Sequence, residues 1–184
     1  PVALFTYYLK DAPKTAKDSR QKKEAENRKE GKDNTYPSYE SLKAEREEEA
    51  AHLLFTVTDA SGNIVRKITQ KPAKGLNRIQ WDLRYGHDDP IRLSPPAFYN
   101  PFAGSSTGTL VAPGDYTVTM SMFENGEFRG LGESVTFKVK ALNNAVLPAS
   151  DREEKLEFQQ KVSELRRQIS TVQRRMAELN SQMK

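Results

Sequence analysis

The sequence contains no cysteine, one tryptophan and only two histidines. Without cysteine there are no disulfides and no thiolate-ligated metal sites, although this identifies no compartment. His52 and His87 lie in different segments, and only His87-Asp88-Asp89 has a locally cation-like composition. A metal site generally needs three or more ligands at defined spacing, so a solvated turn is the preferred reading and no cofactor is expected. No apolar run approaches the ~20 residues that span a bilayer, so membrane insertion is not expected. No stretch has the pattern of a secretory signal. The chain opens at Pro1 inside the apolar run "PVALFTYYLK", as expected of a segment of a longer protein.

The hydrophobic fraction is low, 36%, against 29% charged, so part of the chain is expected to lie outside a packed globule. The length, 184 residues, suits one ordinary core with appendages or two small domains. Basic residues crowd positions 10–32 and the C-terminal region, but the net charge of +4 is mild. With no basic stripe interleaved with aromatics, nucleic acid is not an expected partner.

Residues 2–10 are rich in β-branched and aromatic side chains on both faces, which predicts a strand covered on both sides. A charged run follows, and its helix formers predict a solvated helix over 14–30, stopped near Gly31 and laced with i,i+4 ion pairs. Ser38 is the expected N-cap of a second helix, with Tyr36, Tyr39 and Leu42 available to pin it to the body. From His52 the period changes. Leu53, Phe55 and Val57 alternate with polar neighbours, "DASGN" supplies a turn at Gly62, and "IVRKITQ" returns as the partner strand. In "GLNRIQWDLRY" Ile79, Trp81, Leu83 and Tyr85 share one face, which places Trp81 in the core and Asp82 outside it, paired locally with a basic residue or a backbone amide on a neighbouring strand. Residues 86–109 form a long connection rich in proline, glycine and serine. Tyr116, Val118, Met120 and Met122 alternate along the next strand, Asn125-Gly126 predicts a tight hairpin, and Val135, Phe137 and Val139 point inward. Six or seven short strands at this spacing predict a β-sandwich.

The final segment predicts a long helix. Ser150 and Glu153 read as a capping box, and acidic residues crowd the first turn. Phe158, Val162, Leu165, Ile169, Val172, Met176, Leu179 and Met183 follow the alternating four-three spacing of a heptad seam. At 1.5 Å per residue the helix runs roughly 50 Å and must project beyond the body. The flanking e and g positions hold Gln159, Lys161, Arg166, Gln168, Gln173, Arg175, Asn180 and Gln182, with no acid among them. A parallel homodimer would set basic residues against each other. The expected partner of the seam is therefore a mixed one, the next helix of the parent chain folding back antiparallel; the alternative is a symmetry mate.

No nucleophile motif, phosphate loop or metalloprotease helix is present, and nothing aims Asp82, Asp88 and Asp89 at one point. The chain is therefore read as carrying no catalytic site. Carbohydrate is the rival ligand: Phe98, Tyr99 and Phe102, with Tyr85 and His87, could stack on sugar rings. The plainer reading is that these rings cap one end of the sandwich.

Three motifs together carry a resemblance. Gly62–Ile68, Trp81-Asp82 and Pro113-Gly114-Asp115-Tyr116 resemble the hairpin, Trp-Asp strand and Pro-Gly-x-Tyr turn of the Ig-like domain type of the flagellar hook-capping protein FlgD. More widely, "FTYYLK", "YPSYE" and "LPASDR" resemble the C-terminal region of bacterial sortilin-type, BNR-repeat β-propeller proteins described as glycosyl-hydrolase-like. The resemblance implies a mainly β, Ig-like or fibronectin type III-like sandwich over 1–147. It would carry a helical excursion after strand 1, at about 12–50, and a long amphipathic helix over 148–184. It also implies a structural, non-enzymatic accessory domain packing against a propeller of the same parent chain, in a periplasmic, outer-membrane-associated or secreted protein.

Overall fold

The computed structural model describes residues 1–87, 90, 107–142 and 150–183. Two antiparallel sheets, two short helices and a long C-terminal helix make up the described chain. The smaller sheet pairs β1 (Ala3–Leu9) with β4 (Gly75–Trp81), from Ala3 opposite Trp81 to Leu9 opposite Gly75. The larger sheet is built on β2 (His52–Asp59) and β5 (Gly114–Glu124), the longest pairing, with β3 (Ile64–Gln70) outside β2. β6 (Glu127–Gly130) and β7 (Val135–Val139) pair with successive halves of β5.

Period-two alternation sets which face of each strand is buried. Leu53, Phe55 and Val57 are sealed from solvent on β2, as are Tyr116, Val118 and Met122 on β5. Ile79 and Trp81 of β4 join the same cluster with Tyr7 and Leu9 of β1, so both sheets contribute to one core. Aromatic edges carry the contact between them: Tyr7 to Phe55 at 5.1 Å, Phe5 to Phe137 at 5.3 Å and Trp81 to Tyr116 at 5.7 Å between ring centroids. Trp81, 1% exposed, also donates its indole N–H to the Arg84 carbonyl at 2.9 Å, so its one polar group is satisfied. The β5–β6 hairpin turns at Asn125 (φ 54) and Gly126 (φ 83), the left-handed pair that a two-residue hairpin loop demands.

Between β1 and β2 the chain leaves the sheets for α1 (Ala16–Lys29) and α2 (Tyr39–Glu47). Thr15 caps α1, and its capping box with Asp18 holds the Asp18 carboxyl below its usual range. Ser38 caps α2 as expected. Neither helix buries a residue, so they are joined by charge. Arg20 bridges Glu45 at 2.7 Å and Glu24 at 2.6 Å, and Glu48 accepts from the Ala16 amide at 2.8 Å.

Several expectations are corrected. β1 is covered on one side only, because Leu4 and Tyr8 are exposed across a sheet of two strands. Tyr36 and Tyr39 do not pin α2, being 86% and 73% exposed; Arg20 and Glu45 tie it to α1 instead. Val135 points outward, where β7 begins, while Phe137 and Val139 pack on the core. β4 ends at Trp81, since Leu83 takes φ 57 and breaks the alternation. Asp82 accepts from the Arg84 amide two residues on (3.2 Å), not from a neighbouring strand. The last helix is capped from Asp151 with no side-chain bond, so the predicted Ser150–Glu153 box is absent.

Burial pushes the Tyr116 hydroxyl up to about 12, and Tyr7 and Tyr85 shift the same way, also chiefly through desolvation. Below pH 10 these tyrosines are protonated in folded and unfolded chains alike, and their stabilising contribution is complete. Between pH 10 and about 12 the unfolded chain loses the Tyr116 proton first, so stability must fall as pH rises. Denaturant titrations across this window should lose on the order of 2 kcal/mol through Tyr116. Tyr116→Phe should start less stable, lacking the hydroxyl bond to Ala112, and show a shallower alkaline slope. An unchanged slope would contradict the assignment.

Candidate functional site: the outer face of the C-terminal helix

α3 (Arg152–Gln182) is 31 residues long, about 46 Å at 1.5 Å per residue. Its sequence favours helix throughout. Glu153 and Glu154 face the positive end of the helix dipole, and successive turns are laced by ion pairs between Glu157 and Lys161 (2.7 Å), Glu164 and Arg167, and Arg175 and Glu178 (3.2 Å). The Lys161 ammonium holds the Glu157 carboxyl below its usual range.

The body holds this helix along one face. Arg174 donates to the Pro90 carbonyl at 3.0 Å, and the Gln160 side chain lies near the Tyr85 hydroxyl. The half-buried residues of α3 are Arg152, Leu156, Ser163, Ser170 and Arg174. Apart from Arg152, these residues and Gln160 occupy heptad positions b and f, the outermost positions of a coiled coil. On a helical wheel of 100° per residue this face lies about 160° from the apolar seam. The seam is consequently turned away from the body. All eight seam residues are exposed, from 36% at Val162 to 77% at Met183. Its first members do approach the body, where Phe158 and Val162 border an open groove with Leu110, Val139 and Leu142.

The connection after β4 is anchored where it leaves and returns. The Tyr85 amide donates to the Thr109 carbonyl and the Val111 amide to the Leu83 carbonyl, both at 2.9 Å. Arg66 reaches the Tyr85 carbonyl at 2.8 Å, and Arg84 the Gly108 carbonyl at 3.0 Å. Gly108 is obligatory here: a Cβ at this position would lie 2.2 Å from the Gly86 carbonyl oxygen and 2.4 Å from that of Tyr85.

Of the aromatic residues proposed for carbohydrate, Tyr85 is half-buried against the core and His87 is exposed. Phe98, Tyr99 and Phe102 lie outside the described residues, as do Asp88 and Asp89. Among the described residues, no group of three or more His, Asp or Glu side chains could hold a metal ion, and no helix is long and apolar enough to cross a membrane.

Two features escaped sequence reasoning. One is the grip on α3 through Gln160 and Arg174, because heptad logic assigns b and f positions to solvent. The other is a second aromatic cluster, away from the main core, in which His52 stacks on Phe123 at 4.8 Å beside a largely exposed Phe128. The β2–β5 register, which sets His52 opposite Phe123, is needed to see it.

Gly108→Ala should cost about 1–3 kcal/mol, because the two carbonyls facing it are backbone and retreat only by opening the Leu83–Val111 clamp. Thermal unfolding measures the loss. Hydrogen exchange should place the new mobility at Tyr85 and Val111 rather than in β2, and a variant as stable as the parent would contradict the close packing. Comparison of the chain with family models, with curated proteins and with solved structures finds no match.

Proposed function

We propose that this chain is a structural and interaction domain without catalytic chemistry, and that its working surface is the outward seam of α3. The observation that carries the reading is the orientation of the helix. The body grips it by the b and f positions and leaves eight apolar residues exposed along about 37 Å. A continuous apolar stripe of that length on a soluble surface is the signature of a docking face.

The body is read as an Ig-like, fibronectin type III-like sandwich spanning 1–147, with 148–184 as the helical extension. Its strand order supports this. β3-β2-β5-β7 follows the C′-C-F-G order of one Ig-type sheet, and β1-β4 follows the B-E pair of the other. The Tyr116 hydroxyl, at the start of the strand in the F position, donates to the Ala112 carbonyl four residues upstream at 2.7 Å, as a tyrosine corner does. The resemblance to sortilin-type propeller proteins supports a place beside a propeller in a larger exported protein, periplasmic, outer-membrane-associated or secreted.

Sedimentation of the intact chain and of an Ile169→Glu variant tests the reading. The intact chain should associate with rising concentration, or hold α3 helical as a monomer ready for a partner. Ile169→Glu should abolish association without lowering the melting temperature of the sheets. A monomer whose residues 152–182 are unfolded by circular dichroism would overturn the reading.

A further inference from the structure

The seam carries information about its occupant, and we propose that it pairs antiparallel, about a two-fold axis, with α3 of a second copy of this chain. This rests on the reading of α3 as an association surface and specifies the partner. With the axis between Ile169 and Val172, every apolar residue finds another. Ile169 meets Val172 of the second copy, Leu165 meets Met176, Val162 meets Leu179 and Phe158 meets Met183. No apolar layer is left over at either end.

The flanking charges select this arrangement over a parallel one. In a parallel pair the g position of one helix faces the following e position of the other, which sets Lys161 against Arg166 twice by symmetry. In the antiparallel pair g faces g and e faces e. Lys161 then faces Gln182 of the second copy, Gln168 faces Arg175, and Arg166 faces Gln173, so each cation meets an amide and no like charges meet. An acidic partner helix is not required, since Glu157 and Glu178 of the same helix already neutralise Lys161 and Arg175 at 2.7 and 3.2 Å.

The surroundings of the seam agree. From Leu165 onward the seam faces away from the half-buried b and f positions of α3, so two antiparallel helices can meet along it. The layer pairing also brings Leu179 and Met183 of the second copy beside Phe158 and Val162. There the groove with Leu110 and Leu142, 47% and 75% exposed, offers further apolar surface.

The natural absence of cysteine makes the test clean. Val162→Cys and Leu179→Cys are prepared separately as full chains and oxidised alone and as a mixture. Antiparallel pairing places the two Val162 positions about 26 Å apart along the axis, far beyond disulfide reach. Neither variant alone should cross-link, while the mixture should yield a disulfide-linked dimer from up to half the chains. Gln168→Arg adds a register-specific readout. It creates two Arg–Arg contacts with position 175 only in the antiparallel pair, and should weaken dimerisation about fivefold at low salt.

Cross-linking of Val162→Cys with itself would overturn the antiparallel assignment and leave α3 as the association surface. A chain that stays monomeric with α3 helical would overturn self-pairing alone. A monomer with α3 unfolded would overturn both this inference and the reading beneath it.

Discussion

The described structure depends first on a set of aromatic edges that join its two sheets. The smaller sheet has only two strands, too few to stand alone in water. Its stability comes from Phe5, Tyr7 and Trp81 meeting Phe137, Phe55 and Tyr116 of the larger sheet. Trp81 is central because it also fixes the chain beyond β4. Its indole N–H holds the Arg84 carbonyl, Leu83 turns into a left-handed conformation, and the clamp of Leu83–Tyr85 against Thr109–Val111 closes over the end of the core. One buried indole thus links core packing to the path of the chain beyond β4.

α3 follows a different logic from the sheets. None of its described residues is buried, and its contacts with the described body include the Arg174–Pro90 hydrogen bond and a shallow groove at Leu156, Phe158 and Val162. A helix so lightly held draws most of its stability from propensity, ion pairs and whatever covers its seam. In the proposed arrangement the seam would supply the energy of association while the polar contacts hold the helix on the body.

The fold was largely legible because strand alternation is a local signal. Leu53, Phe55, Val57, Ile79 and Trp81 were assigned to the core from period alone, and the Asn125-Gly126 and Gly62 turns from backbone chemistry. Errors arose where neighbours, not the sequence period, decide exposure. Leu4 and Tyr8 look like buried residues until their sheet proves, among the described residues, to have two strands. Tyr36 and Tyr39 look like anchors until a charge pair between helices takes that role. That eight apolar residues form one stripe along a long helix was also legible, from their strict four-three spacing. Its direction relative to the body was not, because that depends on Gln160 and Arg174 meeting Tyr85 and Pro90, residues far away in sequence at positions that heptad logic leaves to solvent.

The central claim is that α3 is seated by its back and completed through its seam. Hydrogen exchange of the intact chain, followed by mass spectrometry over a range of protein concentrations, tests it most directly. Amides of α3 from Phe158 to Leu179 should gain protection as concentration rises, while those of β2 and β5 stay unchanged. Protection of α3 that is independent of concentration, or that rises and falls together with the sheets, would contradict the account.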